Sequence, residues 1–224
     1  MSEPNGEIRR HPVLDRILHW MLVLAFFFTV ASGFALFHPA LFFLANLTGG
    51  GPWSALLHPF LGLAMMFFFF WFALRHWRDN QIGKRDIQWL KQFSDVMTHK
   101  EERLPEQDKY NAGQKMLYYI LLLCMIGLLL TGIAVWRRYF SDYFPVGIVR
   151  WGLLLHAFAA FVLVASVFGH IAFAVWVKGS IRSMFRGTVT PGWAYKHHRA
   201  WFRKVIGEAQ QTNASGFRND VPAK

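Results

Sequence analysis

Four stretches of the chain run through apolar residues with almost no polar interruption, at about residues 17–37, 54–74, 116–136 and 151–177. Each is long enough for a helix to cross the hydrocarbon core of a bilayer, which takes about 20 residues. None alternates with period two as a membrane barrel strand does, and an open strand in lipid would leave its backbone groups unpaired. The pattern therefore predicts four membrane-spanning helices, joined by two short connections and one long polar loop at residues 75–115. Within that loop Ile87, Leu90, Phe93 and Met97 recur near helical spacing behind a cap at Asp86, which predicts a surface helix. The stretch WAYKHHRAWFRKV at 193–205 interleaves aromatic and basic residues as an interfacial helix does. Both segments stay open between contact with lipid headgroups and simple solvation. The first span follows Arg9 and Arg10 as a signal-peptide core would, yet it is longer and lacks a small-residue cleavage pattern, so it is expected to be a retained helix. Residues 1–204 thus read as one four-helix transmembrane domain, and 205–224 as a disordered cytoplasmic tail.

Composition agrees: 54% of the 224 residues are hydrophobic and 17% aromatic, more than a soluble domain of this size usually carries. The charges add orientation. Lys and Arg number three in residues 1–16, none in 38–53, nine in 75–115, three in 137–150 and nine in 178–224. By the positive-inside rule both termini and the long loop face the cytoplasm, and the short connections face outward. The net charge of +11 then follows from topology rather than from nucleic-acid binding, because the basic residues flank spans and the long loop also holds seven acidic ones. The single cysteine, Cys124, rules out an intramolecular disulfide or an iron-sulfur cluster built from this chain alone.

Four of the ten histidines fall within spans, and topology sorts them by depth. His19 lies near the cytoplasmic surface and His58 near the outer one. His156 begins the fourth span on the outer side, and His170 lies fourteen residues further on. Fourteen residues make nearly four turns and about 21 Å of rise, so His156 and His170 share a helix face at two depths. This gives an outer pair, His58 and His156, and an inner pair, His19 and His170. Two imidazoles from different helices can fill both axial positions of a haem iron, leaving no site open for oxygen. Small residues at Ala157, Ala159, Ala160, Ala165, Ser166 and Gly169 leave room beside the fourth span for a macrocycle, and Gly33, fourteen residues after His19, lies where the outer one would press on the backbone. The groups that orient each ring cannot be chosen from the sequence, although Ser166, one turn before His170, could hydrogen-bond nearby. The competing readings are helix packing, a proton relay or ion transport. Transport has little support, since the span interiors hold no Asp, Glu, Lys or Arg. His38 and His76 sit at span edges, and His11, His99, His197 and His198 in polar segments without metal spacing.

The segments RILHWML, LHPFLG, KYNAGQKMLYY, LLHAFAA and VFGHIAFAVWVKGSI, with WAYKHHRAW after them, resemble the cytochrome b (gamma) subunit of membrane-bound formate dehydrogenases of the N and O type, through about residue 204. Cytochrome b subunits of nickel-iron hydrogenases and thiosulfate reductases are the alternatives. The resemblance implies an all-α membrane protein binding two haems b, with His58 and His156 as ligands of the outer haem and His19 and His170 of the inner one. It implies a bacterial cytoplasmic (inner) membrane location and a non-catalytic electron-transfer subunit. Its partners would be an iron-sulfur (beta) subunit and a catalytic (alpha) subunit with a molybdenum or tungsten pterin, the heterotrimer itself open to higher assembly. Electrons would leave to menaquinone or ubiquinone near the cytoplasmic side, at a site of Asn111, Gly113 and Gln114 beside His170. The residues alone favour a plainer reading of that segment, a helix entry capped by Asn111. A haem-free transporter or a passive anchor also remains open on the residues alone.

Overall fold

The computed structural model describes residues 6–98, 100 and 103–219, with side chains described as far as Gln210. Each expected span is a helix: α1 Val13–Phe37, α2 Gly51–Arg75, α5 Ala112–Val135 and α6 Val146–Trp176. Among the described residues these four are the helices long and apolar enough to cross a membrane. All begin about a turn before the apolar run. Their entry turns are polar or proline-led, with Asp15 in α1, Pro52 in α2, Asn111 before α5 and Pro145 before α6. The chain leaves α1 at His38 and Pro39, where proline disfavours further helix. The His38 ring then accepts from the Ala40 N–H at 3.1 Å to open a 3-10 helix, Pro39–Thr48.

The chain divides into two compact units. One holds residues 14–76 and 117–173 and contains the body of the four spans. Its core joins Ala25 of α1, Met65, Met66, Phe69 and Ala73 of α2, Cys124, Met125 and Leu128 of α5, and Leu163 of α6. Most other apolar side chains on the spans are exposed, and α6 buries only Gly152 and Leu163, as expected of helices surrounded by hydrocarbon. Asp15 is buried, accepts from the Arg75 Nε–H at 2.8 Å and lies 3.2 Å from His76 Nε2, so the start of α1 is fastened to the end of α2. His76, expected only as a span-edge residue, is therefore a buried partner of Asp15.

The second unit gathers residues 1–13, 77–116 and 174–224, of which the described parts form α3 Lys84–Lys91, α4 Phe93–Met97, α7 Ser180–Arg186, α8 Pro191–His197, α9 Arg199–Asn219 and a short antiparallel pair, β1 Ile8–Arg9 with β2 Thr188–Val189. Ile8, Val189, Ala194 and Trp201 are its core. Beside it Arg10 is buried, with Nη2 donating to the Lys109 carbonyl at 2.6 Å and facing His198 Nε2 at 3.1 Å. The His198 Nδ1–H donates to the Asp108 carbonyl at 2.7 Å, so Nε2 is the acceptor for Arg10. The guanidinium lies 4.9 Å from the Trp193 ring and 5.2 Å from Trp201. Burial lowers the Arg10 pKa to about 10, still well above neutrality. Burial first and the Arg10 charge second hold His198 well below the usual histidine value.

Three expectations change in this unit. The helix expected behind Asp86 is two short ones, and Gly83 rather than Asp86 is the cap, the Asp86 carboxylate accepting from the Gly83 N–H at 2.7 Å. Asp86 also pairs with Lys115 at 2.9 Å, which turns the Asp86 and Trp89 face inward and leaves Ile87, Phe93 and Met97 exposed. Residues 193–205 are not one helix: α8 ends at His197, the ring of the next residue, His198, is held as a buried partner of Arg10, and α9 starts afresh at Arg199. Residues 205–219, expected as a disordered tail, continue α9. Their polarity was compatible with disorder, but Glu, Ala, Gln and Arg are good helix formers, and the first turns of α9 are tied down by Arg203 to Glu106 at 3.0 Å and by Lys204 to Asp108. Residues 220–224, the rest of the expected tail, lie outside the described residues.

Candidate functional site

The outer pair is close. His58 on α2 and His156 on α6 have ring centroids 6.3 Å apart, with 73° between the ring planes. A metal–imidazole bond is about 2 Å, so two rings on opposite sides of one ion have centres separated by close to this distance. The rings face a cavity of about 660 Å³ lined from all four spans, with Gly33 and Phe34, Pro59 and Leu63, Gly132 and Ala160 among its walls. Of the small residues expected to make room on α6, Ala157 and Ala160 line it and Ala159 packs on the apolar core.

Each imidazole is held by a hydroxyl from a facing helix that the sequence reading missed. Ser32 Oγ on α1 lies 3.0 Å from His58 Nδ1, and Thr131 Oγ1 on α5 lies 2.9 Å from His156 Nδ1. Ser32 gives its own proton to the Phe28 or Thr29 carbonyl, at 2.8 and 3.0 Å, and Thr131 gives its proton to the Gly127 carbonyl at 2.6 Å. Each hydroxyl is therefore an acceptor toward histidine, so Nδ1 carries the hydrogen and Nε2 keeps the lone pair that binds a metal. A glycine follows each hydroxyl. A Cβ added at Gly33 would lie 3.0 Å from His58 Cε1, and one at Gly132 would lie 3.4 Å from His156 Cε1. Gly33 thus makes room first of all for the His58 ring itself. A hydroxyl-glycine doublet within an apolar span was the signal available in the sequence.

His19 on α1 and His170 near the end of α6 are within electrostatic reach of each other. The Nδ1 atom of His19 is buried without a hydrogen-bond partner, and its ring meets Trp20 edge-on at 5.2 Å. Ser166, which the sequence left open as a neighbouring hydrogen-bonding group, makes no side-chain hydrogen bond among the described residues. A short side chain one turn earlier on the same helix leans toward the N-terminus, away from His170.

At the start of α5, the Asn111 N–H donates to Gln114 Oε1 at 3.0 Å and the Gln114 N–H donates to Asn111 Oδ1 at 2.9 Å. This reciprocal cap engages both side-chain carbonyls and leaves their NH₂ groups as donors. A Cβ at Gly113 would lie 3.3 Å from the Trp89 ring, so the ring that Gly113 accommodates in this structure is Trp89. Asn111, Gly113 and Gln114 belong to one compact unit and His170 to the other.

Two imidazoles facing each other beside an apolar cavity between spanning helices is an arrangement suited to a membrane cytochrome, and residues 10–187 match the prokaryotic cytochrome b561 family. The chain belongs to that family. It is 44% identical over 199 residues to the formate dehydrogenase cytochrome b556 subunit of Haemophilus influenzae, covering 89% of this chain and 84% of that one. It is 38% identical to the nitrate-inducible formate dehydrogenase cytochrome b556(Fdn) subunit of Escherichia coli, covering 94% and 97% of the two chains. The E. coli formate dehydrogenase cytochrome b556(fdo) subunit is 35% identical, covering 88% and 93%. For a b-type cytochrome the outer site fits haem: a largely apolar cavity, two opposed imidazoles with their Nε2 atoms available, and glycines where side chains would crowd them.

Proposed function

We propose that this chain is the cytochrome b membrane-anchor subunit of a respiratory formate dehydrogenase, carrying electrons inward across the bacterial cytoplasmic membrane from an iron-sulfur partner to a quinone. The observation that carries this reading is the opposed His58 and His156 pair in its apolar cavity, in a chain whose relatives bear that subunit's name over nearly their whole length. Formate oxidation belongs to a separate catalytic subunit. His58 and His156 hold one haem b and His19 and His170 a second, the two levels separated by fourteen residues of α6, about 21 Å of rise. Haem b, when bound there, would supply reversible one-electron transfer.

The chain's own groups set the conditions for that transfer. Ser32 and Thr131 fix the tautomer and orientation of the outer ligands, and apolar walls exclude water. The Lys and Arg distribution supports cytoplasmic termini and a cytoplasmic long loop. On that side Asn111 and Gln114 offer their NH₂ groups to a quinone carbonyl, with menaquinone and ubiquinone both compatible. Each charge moved inward works against about 2.3 kcal/mol per 100 mV of membrane potential, so the arrangement conserves energy.

The test is a reduced-minus-oxidised optical spectrum of the purified chain, with haem quantified as the pyridine complex. Two low-spin b haems per chain, falling to one in His58→Ala, are expected. A colourless preparation made with ample haem supply overturns the proposal in favour of transport or passive anchoring.

A further inference from the structure

Of the thirty residues lining the outer cavity, the two that carry a fixed charge are Arg137 and Arg138. They sit on the turn that follows α5, shaped by the Tyr139, Phe140 and Ser141 N–H groups all bonding to the Trp136 carbonyl at 3.2, 2.9 and 3.1 Å. Neither side chain forms an ion pair or hydrogen bond among the described residues, and the one acid of this connection, Asp142, is met by the Ser141 hydroxyl. They are also out of place by topology. The outward connections hold three basic residues in all, and two of them stand side by side at this cavity. A site so built takes a ligand with an apolar body, a centre that binds two imidazoles, and two negative charges at its edge.

We infer that Arg137 and Arg138 bind the two propionate carboxylates of the outer haem, fixing which edge of the macrocycle faces the outer surface and raising the reduction potential of that haem. The inference rests on the haem reading of the site. Haem carries two propionates, so charge and number match. Guanidinium groups pair with carboxylates in bidentate fashion, more strongly at the edge of a low-dielectric cavity than in water. Left unbalanced, the propionates favour ferric iron, and two adjacent cations offset this. A role limited to complementing the α5 dipole at its C-terminus would leave the haem untouched.

The test is a redox titration of both haems in the purified complex, comparing wild type with Arg137→Gln/Arg138→Gln, Arg137→Lys/Arg138→Lys and Arg150→Gln, the last an outward cation that does not line the cavity. Haem content is measured on each sample, which separates this inference from the reading beneath it: a wild-type chain without haem overturns both. With haem present, the Gln pair should lower the equilibrium constant for reducing one haem by about tenfold, which is about 59 mV for a one-electron couple. The other haem and the Arg150→Gln protein should be unchanged, and the Lys pair should recover most of the shift. Selective loss of one haem from the Gln pair, restored in the Lys pair, also supports the assignment. Unmoved potentials at full haem content, or equal shifts in both haems, overturn it.

Discussion

The hydroxyls on the outer imidazoles allow a quantitative test. Ser32→Ala removes one oxygen from a fully buried side chain and creates almost no cavity, so its effect isolates the acceptor 3.0 Å from His58 Nδ1. Leaving a buried N–H without its partner costs about 1–3 kcal/mol. The lower end of that range is taken here for each hydroxyl. About 1 kcal/mol corresponds to about fivefold in haem affinity. Thr131→Val removes the matching acceptor 2.9 Å from His156 while keeping the side-chain shape, and should cost the same. Acting independently, the pair should weaken binding about 25-fold, within the 10–100-fold typical when groups orienting metal ligands are lost. Thr131→Ser keeps the oxygen and should stay near wild type. The potential should also move: an Nδ1–H that donates makes the ring a stronger donor to ferric iron, so losing the acceptor should raise the midpoint of one haem. The assay is titration of haem into stripped protein in detergent, followed by redox titration. A double variant within twofold of wild type in affinity, with its midpoint unchanged, would refute the role of these hydroxyls.

Gly33→Ala should perturb the outer haem more than Gly132→Ala, because the added Cβ would lie 3.0 rather than 3.4 Å from an imidazole carbon; Gly33→Leu should displace that haem, and an unchanged spectrum and haem content would sink the idea. The buried His198 makes a pH prediction for the unit that holds β1, β2 and α9. Its native value is depressed, so below about pH 6.5 the unfolded chain takes up a proton the native chain refuses. Stability should be full above that value and fall as pH drops, by at most about 1.4 kcal/mol per unit, and a thermal-melt comparison at pH 5 and 7.5 should show a steeper loss in wild type than in His198→Gln.

The four spans were legible because each is apolar over its whole length, a signal that needs no partner to be read. The depth of each histidine followed from topology, and the structure does set His58 against His156. What the sequence hid lies in the other unit, where several segments distant along the chain meet. Arg10 depends on Lys109, His198 and two tryptophans, and no local pattern announces a contact across 188 residues. The Ile87, Leu90, Phe93 and Met97 stripe does fall on surface helices, but its cap and its inward face were hidden for the same reason: Lys115 claims Asp86, and Trp89 takes the inward face. Polar composition near the C-terminus hid a helix whose first turns depend on acids about 100 residues earlier.

Small residues in membrane spans ordinarily allow backbones to approach, and that account would have sufficed for Gly33 and Gly132 had each stood alone. Their neighbours argue for more. Ser32 and Thr131 precede them on different helices; each bonds back to the carbonyl four residues earlier, each accepts from the Nδ1 of a facing histidine, and each is followed by the glycine against which that ring rests. A packing motif needs the glycine but not the hydroxyl, and a hydroxyl that merely satisfies itself on its own helix needs no ring. The combination twice over, on the two histidines that face each other, sets tautomer and clearance together. Both histidines are thereby left with an unprotonated Nε2, the state that a metal ligand requires and that a proton relay would have to abandon at every turnover.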